Sequence, residues 1–376
     1  EQTVQDIPMN ISVITSDAIS ERGIYNPEDY LRTLAGVSTP GGDTYYTMRG
    51  LNTGTAQVNS GTSNTFMNEI SMGMTNIYDV DRIEVLRGPQ GTLYGSNAVG
   101  GTIRYITNQP NMDEFEGNIM LEYSDKKLAE DSGYAYNAMV NVPLSDTMAM
   151  RAVVTSGKNP GIYQNIATGR KDIGNQDDDE YRLMFRYADG PLDINLMVMK
   201  RERFDFGQKE KGNADKPGTA DIVDPNCTYD TAWYYGDTCT RVYATAGGDL
   251  TGYDPDMAFY SFTDEYFEVE STTVSLTAEY DFDAFTAMLV LADYDFEEFA
   301  VTDWSRIDTD DLYPDPLYFY GDDERQTQEL RFTSKGDGAI QWTVGFFNTE
   351  FESAPNHVNE WEVTNADGLD YLGYMG

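Results

Sequence analysis

The sequence predicts an α+β unit over residues 1–110, followed over residues 111–376 by antiparallel strands patterned like those of a transmembrane barrel. Three observations predict it. Asp79 to Pro110 runs strand, glycine-rich crossover, strand. Beyond Pro110, apolar and polar residues alternate with period two in about nine segments. The connections between those segments are alternately short and long, as expected where one rim of a barrel carries tight turns and the other carries extended loops.

In the first unit, Ile11, Val13 and Ile14 form a β-prone run. Ser16 or Asp17 caps a short helix through Arg22, and Gly23 ends it. Asn26-Pro27-Glu28-Asp29 opens a second helix, with proline in the first turn and acids at the positive end of the dipole. Tyr30, Leu31, Leu34 and Ala35 supply its apolar face, and Gly36 stops it. Tyr45 to Leu51 reads as a strand, Asn52 to Asn64 as a Gly/Ser/Thr/Asn loop, and Phe66 to Met72 as another strand. Ile83 and Val85 then alternate with Arg82 and Glu84 until Gly88-Pro89, where proline cannot donate a ladder hydrogen bond. Five glycines between Gly88 and Gly101 turn the backbone tightly before Thr102 to Thr107 forms the return strand. A nucleotide-binding reading fails, because the phosphate loop needs Gly-Lys-Ser/Thr and there is no lysine before Lys126.

In the second part, Ile119, Leu121 and Tyr123 alternate with Asn118, Met120 and Glu122. Tyr134, Tyr136, Ala138 and Val140 alternate with Asn137, Met139 and Asn141, and Ala152 and Val154 stand opposite Arg151 and Thr155. Tyr181, Leu183 and Phe185 alternate with Arg182, Met184 and Arg186. The pattern continues through Leu192–Val198, Val274–Tyr280, Phe285–Leu291, Leu330–Phe332 and Ile340–Phe346. Short turns fall at 143–146, 189–191, 281–283 and 336–339; the other connections, 125–132, 157–179, 203–269 and 295–325, are mostly long.

Mean hydropathy is −0.52, and no apolar run reaches the ~20 residues of a membrane-spanning helix. Alternating strands escape that test. Net charge is −39, which disfavours nucleic acid as a partner. Residues 1–110 hold 11 acids and 6 bases, the remainder 53 and 19, so the acid is concentrated in the second part. Acid-rich pieces such as Gln176–Glu180 and Asp308–Asp311 lack regular calcium-loop spacing and are expected to be solvated; no metal site is expected. Cys227 and Cys239 lie in a Gly/Asp/Tyr-rich stretch, where they could close a small disulfide in an oxidising compartment or remain two thiols. His357 is the single histidine, so neither a zinc pattern nor a Ser-His constellation is present, and no enzymatic activity is expected.

Ile83, Glu84, Val85, Leu86, Arg87, Gly88, Pro89, Gln90, Gly91, Leu93, Tyr94, Gly95, Asn97, Ala98, Gly100, Gly101, Ile103, Thr107 and Pro110 form a motif that resembles the plug-domain signature of TonB-dependent outer-membrane receptors. The resemblance extends to Gln5–Ile19, to Arg49-Gly50 and to Gln326–Phe347. It implies a plug followed by a barrel of about 22 strands, of which about nine are visible here. It implies a bacterial outer-membrane location and energised import of a scarce ligand. A ferric siderophore or similar metal chelate comes first; a carbohydrate or other nutrient, a passive pore and a surface adhesin are the alternatives. The implied partners are TonB with its inner-membrane energising complex, the ligand and outer-membrane lipid; no cofactor is implied. TonB would engage a segment expected upstream of Glu1. By the same resemblance, Arg49 and Arg87 pair with carboxylates on the barrel wall, with Glu84 in the same cluster. Plug loops at Gly42–Tyr46 and Asn52–Thr65 face the ligand, which nominates Asp43, Tyr45, Tyr46, Asn52, Thr53, Asn59 and Asn64.

Overall fold

The computed structural model describes residues 10–22, 30–31, 33–34, 36–38, 46–48, 51–52, 63–73, 76–88, 100–165, 169–207, 258–259, 264–303, 306–307, 312–313, 316–336, 340–353, 361–364 and 370–373. The N-terminal unit comprises β1 (Asn10–Thr15), α1 (Ser16–Arg22), β2 (Val37–Ser38), β3 (Thr47–Met48), β4 (Leu51–Asn52), β5 (Ser63–Met67), β6 (Ile70–Ser71), β7 (Val80–Arg87) and β8 (Gly101–Thr107). Five of these strands form one mixed sheet in the order β1-β7-β8-β5-β6. β7 is antiparallel to both β1 and β8, whereas β5 runs parallel to β8. β2, β3 and β4 form a separate small sheet.

The core is built by the β-branched and aromatic positions of these strands. Ile83, Val85, Ile103 and Tyr105 are fully buried with Met48, and Tyr30 and Leu31 pack onto them from the second expected helix. The Tyr30 and Tyr105 hydroxyls share a 2.6 Å hydrogen bond in this apolar setting, and burial pushes both groups well above the usual tyrosine range. Gly101 opens β8 at φ +152, and a Cβ there would strike the Leu86 carbonyl oxygen and the Met48 sulfur.

The segment expected as one strand, Phe66 to Met72, is a hairpin. Asn68 takes the left-handed conformation (φ 54), which asparagine tolerates, and so folds β6 back on β5. β5 also begins at Ser63, inside the stretch whose composition reads as loop.

The second part begins with β9 (Glu116–Ser124), β10 (Gly133–Ser145), β11 (Met148–Asn159) and the two-residue β12 (Gln164–Asn165), then β13 (Asn175–Asp189) and β14 (Leu192–Phe206). It continues with β15 (Ala258–Phe259), β16 (Tyr266–Asp281), β17 (Phe285–Asp303), β18 (Arg306–Ile307), β19 (Leu312–Tyr313), β20 (Pro316–Ser334), β21 (Thr343–Ser353), β22 (Trp361–Thr364) and β23 (Asp370–Gly373). Nine of them, β9, β10, β11, β13, β14, β16, β17, β20 and β21, form one sheet in sequence order. Each is antiparallel to the next, with registers such as Ala152↔Leu183 and Leu276↔Leu291. β12 pairs with β15, β18 with β19, and β22 with β23 outside this sheet.

The alternation sorts the two faces. Tyr136, Val154, Leu183, Val198, Val274 and Leu291 are exposed on one, while Asn137, Asn141, Arg151, Thr155, Arg182, Thr273 and Ser275 are buried on the other. At the short-turn rim, Tyr280, Phe282, Phe285, Phe332 and Trp342 make a continuous run of ring contacts on the apolar side. Aromatic rims of this kind suit the boundary between hydrocarbon and water.

The strands run further than apolar alternation suggests. β13 starts at Asn175, β17 continues to Asp303 and β20 begins at Pro316, so much of the acid expected in long loops is in paired strand. The start of β13 escapes an apolar pattern because Asn175 to Glu180 are all polar. The expectation of solvated acid at Gln176–Glu180 is corrected accordingly. Glu180 is 2 % exposed, and Asp178 accepts two hydrogen bonds from Arg201, at 2.8 and 2.7 Å. Asp308–Asp311 lies outside the described residues.

Candidate functional site

The candidate site is the seam where the N-terminal unit meets the polar face of the nine-stranded sheet. Strand period two aims Arg151 of β11 and Arg182 of β13 toward that face. Between them sits Asp79, in the turn that leads into β7, with its backbone left-handed (φ 59) and its side chain 4 % exposed. Arg151 donates to both Asp79 oxygens, Nε to Oδ2 at 2.8 Å and Nη2 to Oδ1 at 2.6 Å. Its Nη1 reaches Glu116 of β9 at 3.1 Å. Arg182 donates through Nη2 to the carbonyls of Tyr78 and Asp79, at 3.1 and 3.3 Å, and lies 3.8 Å from the Asp79 carboxylate. Asn108, after β8, donates to Asp79 Oδ1 at 3.0 Å. One buried carboxylate thus joins the start of β7, the end of β8 and two wall strands. A forked, charge-assisted contact of this kind is among the strongest polar pairs in a protein.

A second contact lies on the far side of the sheet. Glu69, in the turn between β5 and β6, bridges Arg104 of β8 at 2.8 Å and Arg331 of β20 at 2.9 Å. Arg104 continues to Glu84 at 2.9 Å, and Glu84 to Arg82 at 2.8 Å. Charges therefore alternate from β7 through β8 to the wall. Nearby, Arg325 Nη1 donates to the Ser71 hydroxyl at 3.0 Å.

Between these polar contacts is an apolar one. Met67, Ile70 and Met72 of the N-terminal unit pack with Met184, Met197, Met199 and Tyr294 of the wall. Unbranched thioethers fill an irregular interface without fixing a single shape. The exit chain is pinned as well: Asn141, fully buried on β10, donates to the carbonyls of Asn111 and Glu114 and accepts from the Asn111 N–H at 2.9 Å.

Of the residues nominated from the sequence, the structure brings Glu84 into this network, where its partners are Arg104 and Arg82 of its own unit. Arg87 ends β7 half-buried, opposite Asn10 and Gly101. Tyr46, nominated as ligand-facing, is 1 % exposed and belongs to the core, where burial raises its hydroxyl above the usual range. Asn52 and Asn64 fall in β4 and β5 rather than in loop. Arg49, Asp43, Tyr45, Thr53, Asn59, Cys227 and Cys239 lie outside the described residues. Sequence reasoning missed Asp79 and Glu69, two carboxylates of the N-terminal unit that cross the seam. Among the described residues, no group of three or more His, Cys, Asp or Glu side chains has metal-binding geometry.

Residues 3–102 match the family model of the TonB-dependent Receptor Plug Domain. The iron-regulated outer membrane virulence protein of Vibrio cholerae serotype O1 is 32 % identical over 163 residues, covering 40 % of this chain and 25 % of that protein. The ferric enterobactin receptor PirA of Pseudomonas aeruginosa is 28 % identical over 193 residues, 45 % of this chain and 26 % of that one. In fold, the chain is similar to the ferric yersiniabactin uptake receptor FyuA of Yersinia pestis, with TM-score 0.71 and 18 % identity, over 92 % of this chain and 49 % of that one. It is also similar to the Pseudomonas aeruginosa ferripyoverdine receptor bound to ferripyoverdine, with TM-score 0.67 and 16 % identity, over 95 % and 45 %. The chain therefore spans about a quarter of the curated relatives and about half of the solved structures. The nine-stranded sheet has the fold of a barrel wall in those structures.

Proposed function

We propose that this chain is part of a TonB-dependent receptor and serves energised import of a ferric siderophore or similar iron chelate across the bacterial outer membrane. The observation that carries the reading is the seam. A folded plug sits against the polar face of a barrel wall and is held there by ion pairs, hydrogen bonds and a small methionine contact rather than by a continuous apolar core. Such a seat keeps a pore shut, yet it can be released by force and remade.

In this reading residues 1–110 are the plug and the rest is wall. The ligand binds above the plug, and TonB, driven from the inner membrane, pulls on the plug's N-terminal side. The exit chain, pinned at Asn141, stays with the wall. The clamp at Asp79 and the bridge at Glu69 must both open. Arg49 and Arg87 add guanidinium contacts to this seat, and Asp43, Tyr45, Asn52, Thr53, Asn59 and Asn64 contribute to the ligand surface. A Cys227–Cys239 disulfide would brace an outer loop. The exposed apolar face meets outer-membrane lipid. The names of the relatives, which are iron and siderophore receptors, support an iron chelate as cargo.

The test is uptake of radioiron by the full-length receptor in an iron-starved host that lacks its own siderophore receptors. Catecholate, hydroxamate and phenolate chelates are offered in turn. The reading expects accumulation from at least one chelate class, abolished by a protonophore or by loss of TonB. Accumulation that persists without energy would favour a passive pore; uptake of a carbohydrate in place of every iron chelate would replace the cargo.

A further inference from the structure

Three wall arginines grip plug carboxylates, and each has a second carboxylate beside it on the wall. Arg151 holds Asp79 of the plug and Glu116 of β9. Arg331 holds Glu69 of the plug and, 3.3 Å away, Glu329 of its own strand. Arg182 faces Asp79 at 3.8 Å and Glu180, two positions earlier on β13, at 3.7 Å. The last pair is the most telling. Glu180 accepts the plug's Asn76 N–H at 3.3 Å, while Arg182 donates to the plug carbonyls of Tyr78 and Asp79. Both therefore lose plug partners in the same movement. Arg182 is fully buried, and its Nε and Nη1 find no hydrogen-bond acceptor in the seated state. A donor aimed near a carboxylate, just beyond hydrogen-bond reach, needs only a side-chain adjustment to close on it.

We propose that Glu116, Glu180 and Glu329 are reserve partners that take over the three wall arginines as the plug lets go. They are positioning residues of the transport cycle. An arginine stripped of its only counter-charge in a confined lumen makes the departing state costly. A carboxylate already on the wall offsets that loss, so the exchange of one acid for another replaces the breaking of an ion pair. The reserve acids lower the barrier to release and keep the emptied wall neutral at those points until the plug returns. The proposal rests on the plug reading given above.

The bland alternative, that these acids merely hold the arginines in place, predicts the opposite sign. The test is hydrogen exchange of the β7 and β8 amides in the full-length protein in lipid vesicles, without ligand or energy source, under conditions where exchange reports plug opening. Glu116→Gln and Glu329→Gln, singly and together, should slow that exchange by about fivefold per acid, the factor carried by a partly exposed ion pair of about 1 kcal/mol. Glu180→Gln should slow it too, whereas Asp79→Asn should speed it. Unchanged or faster exchange in the Glu116 and Glu329 variants would overturn the proposal. Those two positions are partly exposed, so the test survives a failure of the buried Glu180 variant to fold. Because no cargo is involved, a wild-type protein that takes up no iron chelate would count against the import reading and leave this result standing.

Discussion

Asp79 of the plug and Arg151 of the barrel wall meet through two parallel hydrogen bonds of 2.8 and 2.6 Å, with both side chains about 95 % buried. The carboxylate is on the plug and the guanidinium on the wall, the reverse of the polarity expected for Arg49 and Arg87. Because Asp79 is also hydrogen-bonded to Asn108 and faces Arg182, the turn into β7 and the end of β8 are fixed to the wall at one point.

Removing Arg182 alone should destabilise the seated plug more than removing it together with Glu180. Arg182→Met takes from Glu180, 2 % exposed, one of its positive neighbours, the buried Arg201 being another. Breaking one side of a buried pair costs up to about 3–5 kcal/mol, less where a second cation remains, while replacing both sides is far milder. Urea titration of the full-length protein, read by exchange protection of the β7 and β8 amides, should rank the double variant Arg182→Met/Glu180→Gln above the single one.

At Glu69 a smaller effect is expected, because its partners are partly exposed. Glu69→Gln should loosen the plug by about 1 kcal/mol. A cycle with Arg331→Met should show coupling, while Arg104 keeps Glu84 as a partner. Permeability to a bulky antibiotic in whole cells is the readout, and a modest rise is expected.

The Tyr30–Tyr105 hydroxyl pair gives a prediction with a definite sign. Tyr105→Phe leaves the Tyr30 hydroxyl buried without its partner and should cost about 1–3 kcal/mol, whereas the double phenylalanine variant should be close to neutral. Burial raises both groups above the ordinary value of 10.0. Above about pH 10 the unfolded chain releases these protons while the folded plug retains them, so plug stability should be intact below that pH and fall as pH rises. The double variant should flatten that fall in a pH series of urea midpoints.

Gly101→Ala should disrupt the plug sheet, since the new Cβ would meet the Leu86 carbonyl and the backbone is in a region that favours glycine. A cost of roughly 1–3 kcal/mol is expected. Loss of protection at the β7 and β8 amides, with the wall strands unchanged, would be its mark.

Much of this architecture is legible in the residues. Apolar alternation places Arg151 and Arg182 opposite Val154 and Leu183, which is where the wall puts them, and the run from Ile83 to Gly101 marks the plug. The partner of those arginines is not legible. Asp79 is 72 positions from Arg151, and a lone acid before a strand carries no local sign of burial. Tyr46 lies among Gly, Asp and Thr, a composition that suggests surface, yet it packs into the core. The acid-rich start of β13 lacks the apolar beat that would mark it as strand, and the ladder register alone defines it.

The most direct test of the account is a double-mutant cycle on the Asp79–Arg151 contact. Asparagine at Asp79 tolerates the left-handed backbone and removes only the charge. Asp79→Asn, Arg151→Met and their combination are compared through exchange protection of β7 and β8 in the full-length protein. A plug seated by this pair predicts that the single changes are each costly and that their effects couple by about 2 kcal/mol or more. Effects that add to within about 0.5 kcal/mol would place the seat elsewhere and contradict the account.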